Sequence, residues 1–291
     1  LAASFLILLI YVTSPSLRTD SKDTFVDFSP EVEIIATGDV MLGRTVMTKS
    51  LEVGNPTYPF ENVKSILSEA DITFINLENP FYDNCPRHTE GFKFCASPEM
   101  SEGLIQSGID IVTLANNHAR NYGEEGIEDT KEILETNGIK YVGFDNLALE
   151  EKKGYKFGFL GFDFLTNKPD EADFNLIRQA DEKVDILFIG VHWGAEYRDG
   201  TAEIQREWAK RMVEEGADVI VGHGPHWVQG REEIGGKPVY YSLGNFIFDQ
   251  MWSQRTKEGL AVRFIFKNGK LVKEEKLPTY MTSWAQPEFV Q

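Results

Sequence analysis

The sequence predicts an α/β fold with a largely buried sheet, on three observations. Short apolar runs rich in β-branched residues recur along the chain, segments with helical apolar spacing alternate with them, and glycines punctuate the junctions. No internal repeat or low-complexity tract interrupts the 291 residues, and 42% of them are hydrophobic, enough for one sizeable core. A single domain is expected over residues 31–291, behind a separate segment at residues 1–30.

The first strand is Val32–Thr37 (VEIIAT), apolar, β-branched and stopped by Gly38. Phe60, Val63, Ile66 and Leu67 are spaced for one face of a helix over Phe60–Ala70, and Ile72–Asn76 is the next strand. Ser97-Pro98 reads as a helix start, with Ser as N-cap and Pro at the first position, and that helix stops near Gly108. Strand Ile109–Ala115 follows, then an amphipathic helix Glu124–Thr136 closed by Asn137-Gly138. Tyr155–Phe162 and Val184–Val191 are strands. Thr201–Glu215 is a helix with Ile204, Trp208, Met212 and Val213 on one side, and Ala217–Val221 and Val239–Leu243 are further strands. Leu260–Phe266 and Leu271–Leu277 flank Asn268-Gly269, the signature of a tight-turn hairpin.

Leu1–Val12 (LAASFLILLIYV) is almost wholly apolar and too short for a full membrane span. With a polar stretch after it, it reads as the remnant of a signal peptide or N-terminal anchor; a buried helix or strand is the alternative. The expected location is the outer face of the cell membrane, or outside the cell. Cys85 and Cys95 flank a short polar loop, and two readings stand, a disulfide outside the cytoplasm or two free thiols. The net charge of −17, with no basic stripe, excludes nucleic acid as a partner. It would also repel a polyanionic substrate unless local arginines or a metal offset it.

Chemistry concentrates where the strands end, the place where α/β sheets bind ligands. The ends read Gly38-Asp39, Asn76-Leu77-Glu78-Asn79, Asn116-Asn117-His118, His192-Trp193-Gly194, Gly222-His223-Gly224-Pro225-His226 and Gly244-Asn245. Four of the five histidines sit there, and only His88, in the cysteine loop, does not. Any one such residue is ordinarily a cap, a turn residue or a hydrogen-bonded core group. Acids, amides and imidazoles at so many strand ends are hard to explain by capping. Imidazole and carboxylate together suit Zn, Mn or Fe, one ion or two, and such a metal makes hydroxide near neutral pH. Gly38–Thr45 (GDVMLGRT) also approaches a phosphate loop, but Arg44 replaces the lysine, Asp39 would repel phosphate, and the histidines stay unexplained.

The motifs GDVMLGR (Gly38–Arg44), NLENP (Asn76–Pro80), ANNHARNYG (Ala115–Gly123), VHWGAEY (Val191–Tyr197), GHGPHWVQG (Gly222–Gly230) and YSLGNFIFDQ (Tyr241–Gln250) occur in this order. As a set they resemble the CapA-like capsule-biosynthesis proteins, which are associated with poly-γ-glutamate and share the calcineurin-like metallophosphoesterase fold. The resemblance implies a four-layer α/β/β/α sandwich. It implies Asp39, Glu78, Asn117, His192, His223 and His226 as metal ligands and His118 as their catalytic neighbour. Two departures from the wider phosphoesterase pattern stand out: Met41 in place of a histidine, and Glu78 in place of an Asp. They leave a single metal or a differently tuned pair as the alternatives.

Arg44, Arg120 and Arg198 lie just beyond motifs, where a guanidinium can hold carboxylate or phosphate. Arg44 is expected in catalysis and substrate binding, Arg120 in substrate binding, and Arg198 at the surface or in an ion pair. Trp193 is expected to wall the site, with Trp227 open to the same role, though both are also ordinary core residues by type. Two functions follow: an exported metal-dependent hydrolase acting on a phosphoester or a γ-glutamyl amide, or a membrane-anchored accessory protein that binds an anionic polymer or its synthase around a structural metal.

Overall fold

The computed structural model describes residues 29–290, so the apolar Leu1–Val12 segment lies outside them. Strands β1 (Glu31–Val40), β2 (Ile72–Leu77), β3 (Ile111–Thr113) and β4 (Lys140–Val142) are parallel neighbours in one sheet. The chain then builds a second sheet from β5 (Ala148–Lys152), β6 (Tyr155–Asp163), β7 (Ile186–His192), β8 (Val219–His223), β9 (Arg231–Ile234) and β10 (Lys237–Tyr240). It returns to the first sheet with β11 (Asn245–Ile247), β12 (Glu258–Lys267), β13 (Lys270–Ser283) and β14 (Gln286–Phe289). β11 runs parallel to β1 on one side of its path, and β12 pairs β1 antiparallel.

Period-two alternation along β1 explains the packing. Val32, Ile34 and Ala36 join an apolar cluster with Phe157, Phe159 and Phe188 of the second sheet, while Ile35 faces a different cluster. That other cluster gathers residues of α1 (Arg44–Glu52), α2 (Lys64–Glu69), α3 (Ser101–Gln106) and α4 (Gly123–Thr136): Val46 and Met47, Leu67, Leu104, and Leu134. A third cluster joins Leu187, Ile189 and Ile220 to Phe174 and Ile177 of α5 (Glu171–Asp181) and Met212 of α6 (Glu203–Glu214). One apolar layer between two sheets and one on each outer face is the packing an α/β/β/α arrangement needs. Between the sheets the aromatic rings pack edge to face or tilted: Phe74–Phe159 at 5.3 Å and Phe188–Phe264 at 5.5 Å.

Glycines let the strands close in. A Cβ at Gly38 would stand 2.1 Å from the Gly244 carbonyl oxygen, and one at Gly222 would stand 2.2 Å from that of Tyr241. The hairpin forms as expected, with Asn268 (φ 53°) and Gly269 (φ 69°) both left-handed between β12 and β13.

Some elements differ from the sequence reading. The helix expected over Phe60–Ala70 is a 3-10 turn, Tyr58–Phe60, and then α2, because the chain turns again at Glu61-Asn62 and Val63 leaves helical geometry (φ −120°). The helix from Ser97 starts as a 3-10 turn, Pro98–Met100, before α3. Helices α1 and α5 and strands β4, β5, β9, β11 and β14 were not read from the sequence. A four-residue helix, α7 (Gln254–Lys257), precedes β12, and no helix among the described residues is long and apolar enough to cross a membrane.

Phe188 touches Phe159, Phe264 and Phe266 at ring distances of 5.2, 5.5 and 5.7 Å, so it holds the two sheets together. Phe188→Ala should lower unfolding free energy in guanidinium by about 3–5 kcal/mol. A loss under about 1 kcal/mol would mean that the sheets do not share this core.

Candidate metal centre

Strand register brings the site together. Asp39 on β1 lies opposite Asn76 on β2 and opposite Asn245 on β11, so an amide flanks the acid on each side. In the second sheet His192, at the end of β7, is paired in register with His223, at the end of β8. After β8 the chain turns through Gly224 (φ 105°) and Pro225, leaving His226 left-handed (φ 59°), an unfavourable conformation for a non-glycine. That turn returns a second imidazole to Asp39.

Asp39 is fully buried and accepts from both imidazoles. His223 Nδ1 lies 3.0 Å from its Oδ1 and His226 Nδ1 3.2 Å from its Oδ2. Asn76 Nδ2 donates to Asp39 Oδ1 at 2.9 Å and to Glu78 Oε2 at 3.4 Å, while Asn116 Nδ2 donates to Asn76 Oδ1 at 3.0 Å. His226 Nδ1 also lies 3.0 Å from Asn245 Oδ1. The Asn245 amide donates to Gln250 and to the Thr256 carbonyl, which leaves its oxygen to accept from His226. The other buried carboxylate, Glu78, points Oε1 between two imidazoles, 3.8 Å from His226 Nε2 and 3.9 Å from His118 Nε2.

Burial and mutual charge shift these groups. Burial works against the Asp39 anion, but the hydrogen bonds and charges of His223 and His226 outweigh it and hold the carboxyl well below its usual range. Glu78 moves the other way: burial and the nearby Asp39 charge push it well above the usual carboxylate range. For His226 burial opposes the charged form, yet Glu78 and Asp39 prevail and raise it to about 9. Burial pushes His118 down to about 4 and His192 to about 3, so both are neutral at pH 7.

The cluster fits a cation. Glu78 Oε1, His192 Nδ1 and His223 Nε2 are buried and have no hydrogen-bond partner among the described residues. Leaving such atoms unpaired costs free energy unless a ligand supplies the missing contact. Asp39, Glu78 and His226 each offer a ligand atom, all within 4.8 Å of one another. Mixed carboxylate and imidazole donors suit Zn, Mn or Fe.

Of the residues expected here, the structure brings Asp39, Glu78, His118, His223 and His226 together, with His192 beside His223. Asn117 is exposed and lines a separate cleft with Arg120 and Asp163; Asn116 reaches into the cluster instead, because successive side chains of the loop diverge. Trp193 does not wall the site: it is fully buried in the outer core of the second sheet, and its Nε1 donates to the Tyr241 carbonyl at 2.8 Å. Arg44 is not free for substrate, since Asp249 holds its guanidinium in a two-pronged ion pair. Arg120 is paired with Glu124 on the surface, and Arg198 is exposed. Met41 is buried and its sulfur accepts from the Gly43 amide, so position 41 gives the site no nitrogen ligand. Asn76 and Asn245 were visible at strand ends, but only register shows that they grip Asp39 and His226. Cys85 and Cys95 are disulfide-bonded.

Residues 33–250 match the family model described as "Bacterial capsule synthesis protein PGA_cap". The chain is 28% identical to the PGA biosynthesis protein CapA of Bacillus subtilis (strain 168), over 91% of this chain and 75% of that one. It is 30% identical to the capsule biosynthesis protein CapA of Bacillus anthracis, over 78% of this chain and 62% of that one, so it spans under two thirds of that relative's length. A Staphylococcus aureus crystal structure assigned as a 5'-nucleotidase, solved with alpha-ketoglutarate, superposes with a TM-score of 0.51 at 14% identity, over 86% of this chain and 54% of that one. That likeness shows a shared fold.

Because His226 is raised to about 9, the metal-free cluster holds a proton at pH 7 that an incoming cation must displace, and the upward shift of Glu78 acts in the same direction. Mn²⁺ binding should therefore release protons, and affinity should rise as pH climbs from 6 towards 9. Calorimetric titration in two buffers of different ionisation enthalpy reads both effects. A buffer-independent enthalpy, or affinity that falls with rising pH, would contradict the assignment.

Proposed function

Because this chain belongs to the bacterial capsule synthesis protein family PGA_cap, we propose that it is a metal-dependent hydrolase of capsule building, acting on a phosphoester or a γ-glutamyl amide. The observation that carries the reading is the buried Asp39–Glu78–His223–His226 cluster, whose Glu78 Oε1 and His223 Nε2 have no hydrogen-bond partner among the described residues.

Asp39, Glu78, His223 and His226 would hold the ion, with His192 alongside. A bound divalent cation, one or two of Mn, Zn or Fe, would supply a hydroxide at neutral pH and positive charge to stabilise the oxygen that becomes anionic. The protein's own residues do the rest. Asp39 orients both imidazoles through their Nδ1 atoms, and Asn76 fixes the angle between the two carboxylates. His118, neutral at pH 7, presents Nε2 beside Glu78 and can take up or return a proton there. The chain's charge of −17 makes a cation at the site more important for any anionic polymer, since Arg44 and Arg120 are already ion-paired.

Export belongs to the same reading and is supported by the Cys85–Cys95 bridge, a bond that persists in oxidising surroundings. An N-terminal anchor and contact with membrane-bound synthase subunits complete it.

One observation favours the accessory alternative, in which the metal is structural and the protein binds the polymer or its synthase. Met41, buried and bonded to Gly43, withholds the imidazole that a full two-metal phosphoesterase site would use.

Hydrolysis of aryl phosphoesters and of γ-glutamyl anilides by the Mn-loaded protein separates the two. As a catalytic neighbour, His118→Ala should keep its metal and lose about 10²–10⁴ in kcat, while Asp39→Ala should lose the metal itself. If metal-replete protein cleaves neither class and yet binds γ-glutamate oligomers, the accessory reading takes its place.

A further inference from the structure

We propose that a stacked column of Asp249, Arg44 and Phe94, strapped by the Cys85–Cys95 disulfide and clamped by Asn121, positions His118 by fixing its ring plane and its tautomer. This deepens the hydrolase reading and rests on it only for the use His118 is put to.

The column is built of side chains far apart in sequence. Asp249, almost completely buried, grips the Arg44 guanidinium through Nε at 3.1 Å and again through Nη2. The guanidinium lies over the Phe94 ring, 4.5 Å from its centroid. On its other partner, Phe94 stacks on the His118 imidazole at 3.8 Å with only 19° between the planes. Arg44 Nη1 also donates to the Gly91 carbonyl at 2.8 Å, which ties the cysteine loop to the same column. To make these contacts Arg44 sits at φ 45°, a left-handed conformation that a non-glycine adopts only when its surroundings impose it.

The strap acts on the same ring. Cys95, the neighbour of Phe94, is fully buried, and its carbonyl lies so close to Gly43 that a Cβ there would be 2.2 Å away. The bridge to Cys85 closes the loop over this contact and sets where Phe94 leaves the backbone.

The tautomer follows from donors and acceptors. The Phe94 backbone N–H donates to Asn121 Oδ1 at 2.6 Å, so that atom is the amide oxygen. His118 Nδ1 lies 2.9 Å from the same oxygen, which has no proton to give, so Nδ1 carries the hydrogen. In the neutral ring Nε2 is then proton-free and faces Glu78 Oε1 at 3.9 Å. One oxygen of Asn121 thereby holds both the stacking ring's backbone and the imidazole's proton. It also gives a role to Arg44 and Asp249, whose buried ion pair no substrate contact explains.

Nitrogen-15 spectra of the histidine-labelled full chain test the proposal, with the His118 signals assigned by their absence in His118→Gln. The wild type should show His118 as a single Nδ1–H tautomer. Asn121→Ala should lose that preference, and Asn121→Asp, which keeps an acceptor, should retain it. Phe94→Leu and Arg44→Ala should remove the ring-current shift of the His118 carbon-bound protons. Manganese content is measured on each variant and should stay at the wild-type level. A wild-type Nε2–H form, or an unchanged tautomer in folded Asn121→Ala, overturns the proposal. Absence of metal from every protein would sink the hydrolase reading and leave the tautomer result standing. Where turnover is measurable, Arg44→Ala should lower kcat by about tenfold or more with KM unchanged.

Discussion

The structure depends on one buried charge. Asp39 has no exposed surface, and a carboxylate in such a place survives only if paired and hydrogen-bonded. Its partners come from three strands: Asn76 near the end of β2, His223 at the end of β8 with His226 in the turn beyond, and Asn245 at the start of β11, which reaches it through His226. None of them can move without uncovering the charge. The demands of that single carboxylate therefore tie together both sheets, the left-handed turn at His226 and the close approach at Gly38.

The second acid behaves differently because it is second. Once Asp39 is held as an anion, the next carboxylate in the same dry volume meets its field, and Glu78 is driven towards its neutral form. His226 moves with it, drawn up by the two acids it touches. A divalent cation would resolve this arrangement by letting both carboxylates ionise together and by meeting atoms left without a hydrogen bond among the described residues. The unpaired atoms and the shifted acids thus express one physical fact, that the cluster carries more negative potential than its own protons comfortably balance.

Much of this was legible in the sequence. Strands rich in β-branched apolar residues announce burial on both faces, and strand ends in an α/β sheet are where ligands bind, so Asp39, Glu78, His223 and His226 were readable from position alone. What was not legible concerns direction and register. Adjacent residues in a loop diverge, so Asn117 faces solvent while Asn116 reaches Asn76. Trp193 follows a site histidine, yet the alternation of its strand sends it into the opposite core. Helix α1 starts from a left-handed Arg44 without a side-chain cap, so no start signal marks it. Helix α5 did carry a signal, since Asp170 and Asp173 form a capping box ahead of Phe174 and Ile177, and the pattern was there to be found.

Arg44 shows why closeness to a motif is a poor guide to role. A guanidinium five residues from Asp39 suggests anion binding, and its chemistry is right for it. But a free cation this near Asp39 and Glu78 would compete with any bound metal for the same field. Pairing Arg44 with Asp249 cancels its charge locally while keeping its flat surface, which the Phe94 ring then uses. The same economy holds at Asn121, neutral where an acid would have added to a cluster already rich in negative charge, yet still able to accept the His118 proton. Around two buried carboxylates, the supporting residues are those that orient without adding charge.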